Sequence, residues 1–295
     1  MPRLATLLLT LTLAACDSSA EVGNIVHQER SLYRNIYVAE QGGERCMYFR
    51  LRGSPGKQSC IDLDEPNRLV SEYSRLMMAG LYVQRQPRRI LMIGLGGGVV
   101  PSALQQLLPG VEIDAVEIDP AVVRVAASHF NFRAGPRTRV HEIDGRVFVK
   151  RQLAAGQKYD LVLLDAYDNE YIPEHLLTLE FLREVGGLLA PGGAVVANTW
   201  SSSKLYDHES VTYEAAFGPF LNLRDRNRIV IAGPAASLPP EQRAANAAAF
   251  EERLRPFGVS QASLLPLMRS ERDWDPGARV LTDQYSPSNL LGSGS

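Results

Sequence analysis

The sequence predicts an α/β fold with a mainly parallel sheet, preceded by a small antiparallel β domain. Three observations carry that expectation. From Arg88 onward, strand-like runs alternate with helical ones, the pattern of a parallel sheet covered by helices. The first of those runs, residues 90–93, feeds directly into Gly94-Leu95-Gly96-Gly97-Gly98 and then a helical stretch. Before it, residues 24–63 hold short alternating segments separated by Gly42-Gly43 and by residues 53–56, which read as antiparallel strands and turns.

The chain begins differently. One cation, Arg3, precedes residues 4–13, an unbroken run of Leu, Ala and Thr. A bilayer-crossing helix needs about 20 apolar residues, so this run fits a secretory signal instead. Leu13-Ala14-Ala15-Cys16 resembles the bacterial lipobox. That resemblance implies cleavage before Cys16, a lipid on its thiol and a membrane as partner. The expected location is the periplasmic side of a bacterial membrane, with Asp17 implying the inner one. If the leader is no signal, the location is cytoplasmic. Residues 1–16 are thus assigned to the signal and 17–23 to a tether.

Residues 24–86 form the β domain and a linking helix. Its strands are expected at 35–39, 46–51 and 58–62. Residues 66–84 then repeat Leu69, Tyr73, Leu76, Met77 and Gly80 at helical steps. Residues 87–290 form the large domain. Strands are expected at 90–93, 113–117, 161–164, 194–198 and 229–232, and helices at 100–108, 121–130, 173–189 and 239–257. Residues 291–295 read as a flexible tail.

A formal charge of −2 over 295 residues argues against a general nucleic-acid binder. After cleavage only Cys46 and Cys60 remain besides the lipidated Cys16. An even pair in an exported protein suggests a disulfide across the turn at 53–56; two free thiols are the alternative. No cluster with metal-ligand spacing is present, and no metal is expected.

The chemistry is expected at the strand ends. Gly94, Gly96 and Gly98 allow close approach of a ligand to the backbone. Glu117 ends the next strand, 23 residues after Gly94, where a carboxylate can accept ribose hydroxyls. Asp144-Gly145 opens a helical stretch, and Asp144 can accept from an adenine amino group. Asp165 and Asp168 follow the strand 159–164, where open α/β sheets bind ligands. Trp200 and Trp274 read as packing residues, and His141, His175 and His208 as surface residues.

The order of these pieces resembles the spermidine synthase family of aminopropyltransferases. The resemblance implies a methyltransferase-type Rossmann domain and transfer of an aminopropyl group from decarboxylated S-adenosylmethionine to an amine. The donor is a co-substrate, and no permanently bound cofactor is implied. Glu117 matches the ribose-binding acid, Asp144 and Gly145 the adenine-side pair, and Pro173 a donor-contacting proline. Asp165 matches the catalytic base, while Asp168, Gln58 and Tyr73 match residues of the amine site. The expected partner is a small-molecule amine, and a homodimer stays open. Departures cluster on one side of the expected site: Gly97 stands where the family carries an acid that helps hold the amine, Arg34 where it has a donor-side Gln, and Ser74-Arg75 where it has an acid-containing pair. If Arg34 and Arg75 face the pocket, they repel a diamine and suit an anionic ligand. Two other readings share the fold: an S-adenosylmethionine-dependent methyltransferase, and a non-catalytic nucleoside- or polyamine-binding lipoprotein.

Overall fold

The computed structural model describes residues 22–52, 56–167 and 171–287. The leader, Cys16, Asp168 and the tail 291–295 lie outside the described residues.

Four antiparallel strands come first, paired in sequence order: β1 (Asn24–Arg30), β2 (Asn35–Gln41), β3 (Glu44–Tyr48) and β4 (Lys57–Asp62). Gly42 and Gly43, at φ +60° and +82°, form the two-residue turn that joins β2 to β3. Positive φ at both turn residues matches the twist of a tight hairpin, and glycine adopts it without a steric penalty. Cys46 faces Cys60 across the β3–β4 ladder, and a disulfide joins them. Ile36, Val38 and Met47 are fully buried on the face turned to the rest of the molecule.

The helical pattern at 66–84 resolves into two short helices, α1 (Glu72–Met77) and α2 (Gly80–Val83). Leu69 instead bridges Ile61 and donates its N–H to Phe257, which holds the segment extended. Between the helices the bonds tighten to three-residue steps, such as Met78 N–H to Arg75 O at 3.1 Å. Gly80 lets this turn lie against the large sheet: a Cβ there would sit 2.9 Å from Val196.

The large sheet has seven strands: β5 (Arg89–Ile93), β6 (Glu112–Glu117), β7 (Thr138–Glu142), β8 (Tyr159–Leu164), β9 (Leu189–Trp200), β10 (Leu221–Arg224) and β11 (Asn227–Ala232). Their order is β10-β11-β9-β8-β5-β6-β7, with β5 to β9 parallel and β11 antiparallel to both neighbours. Helices α3 (Val99–Leu107), α4 (Pro120–His129), α5 (Gly145–Ala154), α6 (Leu179–Gly187), α7 (Tyr206–Phe217) and α8 (Pro240–Leu254) cover it. Alternation along the strands supplies both faces: Ile90 and Met92 enter one core, Leu91 and Ile93 the other. The first core continues into the four-stranded sheet through Ile36, Val38 and Met47.

Several elements had no clear sequence signal. β1 and β10 were not expected; β7, Thr-Arg-Val-His-Glu, is a polar strand at the sheet edge. α7 has no apolar stripe, because it buries Glu209, Ser210 and Thr212 beside Val211 and Tyr213. The expected helix at 173–189 begins only at Leu179, where Thr178 caps it by accepting the N–H of Phe181 at 3.2 Å.

Candidate active site

β5 and β8 are sheet neighbours, but their following strands run to opposite sides. This switch point leaves a crevice beyond their carboxyl ends, the usual ligand position in open α/β sheets. The crevice is a cleft with a volume of about 210 Å³, closed on its other side by the four-stranded sheet and α1.

Gly94 opens it. Its φ is +92°, and a Cβ would stand 2.1 Å from the carbonyl oxygen of Asp165. Glycine is therefore required where β5 and β8 converge. Gly96 also lines the cleft. Gly98 does not: it is the left-handed N-cap of α3, and its missing Cβ makes room for the Phe132 ring. Gly97 also lies off the cleft, and a side chain there would meet Ser59 Oγ at 2.7 Å and Phe130 at 2.9 Å.

Glu117 ends β6 inside the cleft. One carboxylate oxygen accepts the N–H of Leu95 and the other that of Asp119, each at 3.1 Å. Burial raises its pKa, and those two N–H bonds and Arg34 oppose the rise. Asp144 caps α5 by accepting the Val147 N–H at 2.9 Å, while its other oxygen contacts His175 Nε2 at 2.8 Å. The His175 bond is the main reason its carboxyl titrates below the usual range. Gly145 packs against Ile93, where a Cβ would meet Cγ2 at 2.6 Å. Behind this pair Arg146 binds Glu184 and Asp283, so the C-terminal stretch braces α5.

Asp165 follows β8. One of its oxygens accepts from Asn198 Nδ2 at 2.8 Å. Burial pushes its carboxyl up to about 7, nearby Glu117 adds to the rise, and the Asn198 bond opposes it. Tyr167 donates to the Asn198 carbonyl at 2.9 Å and stacks on Trp200 at 5.9 Å. Tyr73 donates to the Gln58 carbonyl at 3.1 Å, and burial together with the Asp165 charge holds its phenol un-ionised.

Nine residues singled out in the sequence thus share one cleft: Gly94, Gly96, Glu117, Asp144, Gly145, Asp165, Pro173, Gln58 and Tyr73. Arg34 joins them, but Arg75 does not; it turns away and donates to the carbonyls of Leu69 and Val70. The expected role of Arg75 facing the pocket is therefore corrected. His175 and Trp200, read as surface and packing residues, line the cleft, whereas Trp274 stacks on Phe220 in the core. Asn198 and Tyr167 were missed. Asn198 lies on β9, 33 residues from the Asp165 it contacts, and only sheet pairing brings them together.

The fold and cleft define a Rossmann-type architecture with a ligand cleft at the switch point of its sheet. The spermine/spermidine synthase domain model matches residues 70–219. A polyamine aminopropyltransferase of Vibrio vulnificus is 46% identical over 273 residues, covering 90% of this chain and 91% of that protein. The chain therefore belongs to the spermine/spermidine synthase family. Human methyltransferase-like protein 13, solved in complex with SAH, is 27% identical with a TM-score of 0.57, covering 75% of this chain and all of that one. A probable spermidine synthase from Corynebacterium glutamicum shares the fold at a TM-score of 0.61 and 19% identity, covering 86% of this chain and 98% of that one.

Proposed function

We propose that the chain transfers an aminopropyl group from decarboxylated S-adenosylmethionine to an amine, with Asp165 as general base. The observation that carries this reading is the Asp165 carboxyl. It sits at the switch point, is held near neutrality by burial, and shares the cleft with Glu117 and Asp144. In this reading Glu117 accepts the ribose hydroxyls and Asp144 the adenine amino group, while Gly94, Gly96, Gly145 and Pro173 shape the donor side. Gln58 and Tyr73 line the amine side, and Asp168 belongs to it by family resemblance.

The nucleophile is a neutral amine, because an ammonium has no lone pair. Its nitrogen bonds to the carbon beside the sulfonium as the carbon–sulfur bond breaks and methylthioadenosine leaves. Asp165 takes the proton, and a base with a pKa near the working pH suits that task. The sulfonium is already a good leaving group, so holding both substrates in line supplies much of the acceleration.

The test is product analysis. The purified protein is incubated with each sulfonium donor and a panel of amines. Methylthioadenosine release that needs both an amine and Asp165 supports the proposal. S-adenosylhomocysteine in its place assigns methyl transfer instead.

The membrane placement is a separate proposal. The apolar leader and lipobox-like end support a lipid at Cys16 and a protein facing the periplasm. Globomycin-sensitive processing and loss of lipid labelling in Cys16→Ala are expected; an unprocessed cytoplasmic protein refutes the anchor.

A further inference from the structure

The four-stranded sheet runs up and down in sequence order, so its β1–β2 turn and its β3–β4 loop lie at the same end. Six large apolar side chains are exposed among the described residues, and four of them, Ile25, Val26, Leu32 and Tyr33, belong to β1 and its turn. Leu32 is 100% exposed and Tyr33 47%. The turn that presents them is braced from below. The Ser31 N–H donates to the Arg34 carbonyl at 2.9 Å, and its Oγ accepts the N–H groups of Tyr33 and Arg34, each at 3.0 Å. The same hydroxyl donates to Asp119 at 2.6 Å. Single exposed apolar residues are ordinary, but this concentration on one held hairpin marks a contact surface.

The charge at this end selects the partner. Arg30, Arg50 and Arg52 are exposed there, and none has an ion-pair partner among the described residues. Glu29, the acid beside Arg30, is already paired with Arg124. An anionic bilayer suits each feature: an apolar interior for Leu32, an interfacial zone for Tyr33 and phosphates for the arginines. A second copy of the chain suits them less. β1 is the free edge of its sheet, but a bulge between Ile25 and His27 breaks its register, and bulged edges resist strand pairing. A second copy also brings the same unpaired arginines to the contact. The chain outside the described residues has the reach that a bilayer contact needs. Residues 17–23 separate Cys16 from β1, and seven residues extend at most about 25 Å. β1 is also seven residues long, about 23 Å, so a lipid on Cys16 can anchor in a membrane that touches the far end of the hairpin.

We propose that this end of the four-stranded sheet docks on an anionic lipid bilayer. Leu32 enters the acyl region, Tyr33 sits at the interface, and Arg30, Arg50 and Arg52 meet the phosphates. The proposal rests on the membrane placement above and goes beyond it, because a flexible tether alone leaves the orientation of the protein free. Docking fixes that orientation. Arg34, Phe49 and Arg50 belong to the same end of the sheet and line the cleft, so the bilayer stands beside the mouth of the cleft.

Lipid cross-linking tests it. The full chain, as purified from membranes, is placed in vesicles of phosphatidylethanolamine and phosphatidylglycerol that carry a phospholipid with a photoactivatable acyl chain. Cross-linked peptides are then mapped by mass spectrometry. Adducts are expected at Leu32 and Tyr33, and none at Pro191, which is exposed at the opposite end of the large sheet. Leu32→Ser should lower the adduct yield of that peptide by roughly tenfold or more, the value of burying one leucine. Replacing phosphatidylglycerol with phosphatidylcholine should lower it several-fold. Thermal melts check that Leu32→Ser is folded; should it not fold, the wild-type map and its dependence on phosphatidylglycerol decide. Adducts confined to residues 16–23 overturn the docking and leave the anchor intact. No adducts anywhere, with no lipid label on Cys16, overturns the membrane placement itself. A dimer seen by light scattering that Leu32→Ser dissolves assigns the surface to a second copy and also overturns the proposal.

Discussion

The two walls of the cleft are built by different means. The proposed donor wall consists of consecutive strand ends of one sheet: Gly94 after β5, Glu117 at the end of β6, Asp144 after β7 and Asp165 after β8. Each position follows from a hydrophobic run, a turn and a polar residue, all local in sequence. The proposed amine wall is assembled from the four-stranded sheet, α1 and β9, and its contacts are long-range. Ser31 Oγ reaches Asp119 at 2.6 Å across 88 residues, and Arg34 reaches Tyr167 across 133. A wall made of local motifs can be read residue by residue. A wall made of docking between sheets can be read only once the fold is known.

The largest expected effect falls on the residue that both walls share. Asp165→Asn should lower kcat by roughly 10²–10⁴-fold, the usual contribution of a positioned general base. Donor binding, followed by calorimetry, should change far less. Equal loss of binding and turnover would mean that Asp165 only holds the donor, and the division into two walls would fail at its centre.

Glu117→Gln probes the donor wall alone. Removing the charge beneath the proposed ribose position should raise the donor KM by roughly 10–100-fold, the range of a hydrogen bond to a charged group. The amine KM should stay within a few-fold. Comparable changes in both constants would show that the walls are coupled.

The same division explains what the sequence disclosed. The α/β class, the glycine turn and the acids at 117, 144 and 165 were legible, because periodicity and strand-end placement are local signals. Arg34 and Arg75 could not be told apart. Both are single cations near apolar residues, and only docking turns one into the cleft and the other onto the Leu69 and Val70 carbonyls. Asn198 gave no signal, since an Asn at a strand end is ordinary until β9 pairs with β8. His175 looked like a surface residue and is half exposed, yet it holds Asp144.

Asn198→Ala sharpens the comparison through pH. The working base is the ionised carboxylate, so kcat/KM should rise with pH through about 7 in the native protein. The Asn198 bond favours the ionised form and lowers the pKa. Removing it should move the rising limb to higher pH and leave the plateau within a few-fold. A limb that stays in place would assign the titration to another group.

The disulfide tests whether the amine wall depends on the rigidity of its sheet. Cys46 and Cys60 tie β3 to β4, and the next residues back along β4, Ser59 and Gln58, face the glycine loop and the cleft. Cys60→Ser should lower unfolding stability by about 2–4 kcal/mol, measured in urea. Its kinetic effect should fall mainly on the amine KM, by a few-fold. A matching change in the donor KM would mean that the sheet supports both walls alike.

The smallest expected effect comes from beneath the loop that follows Asp165. Tyr171 is buried there and donates to Glu209 at 2.5 Å, while its hydroxyl oxygen lies 3.5 Å from the Trp200 N–H. Glu209 is itself buried and lies 3.8 Å from the buried Arg228. Burial raises the Glu209 pKa, and the Arg228 charge and the Tyr171 bond oppose the rise, so the three side chains hold one another in place. This cluster anchors Tyr171 in the core beside the cleft residue Trp200. Tyr171→Phe keeps the ring and its edge contact with Trp200 at 5.0 Å but removes the hydroxyl. Losing the bond to the buried Glu209 carboxylate should cost about 1.5–3 kcal/mol of stability, with only a few-fold change reaching the cleft. That change should appear in the amine KM and in a lower melting temperature, with the donor KM unaltered. If it appeared in the donor KM instead, the loop would belong to the donor wall, and the boundary between the walls would run on the other side of Asp165.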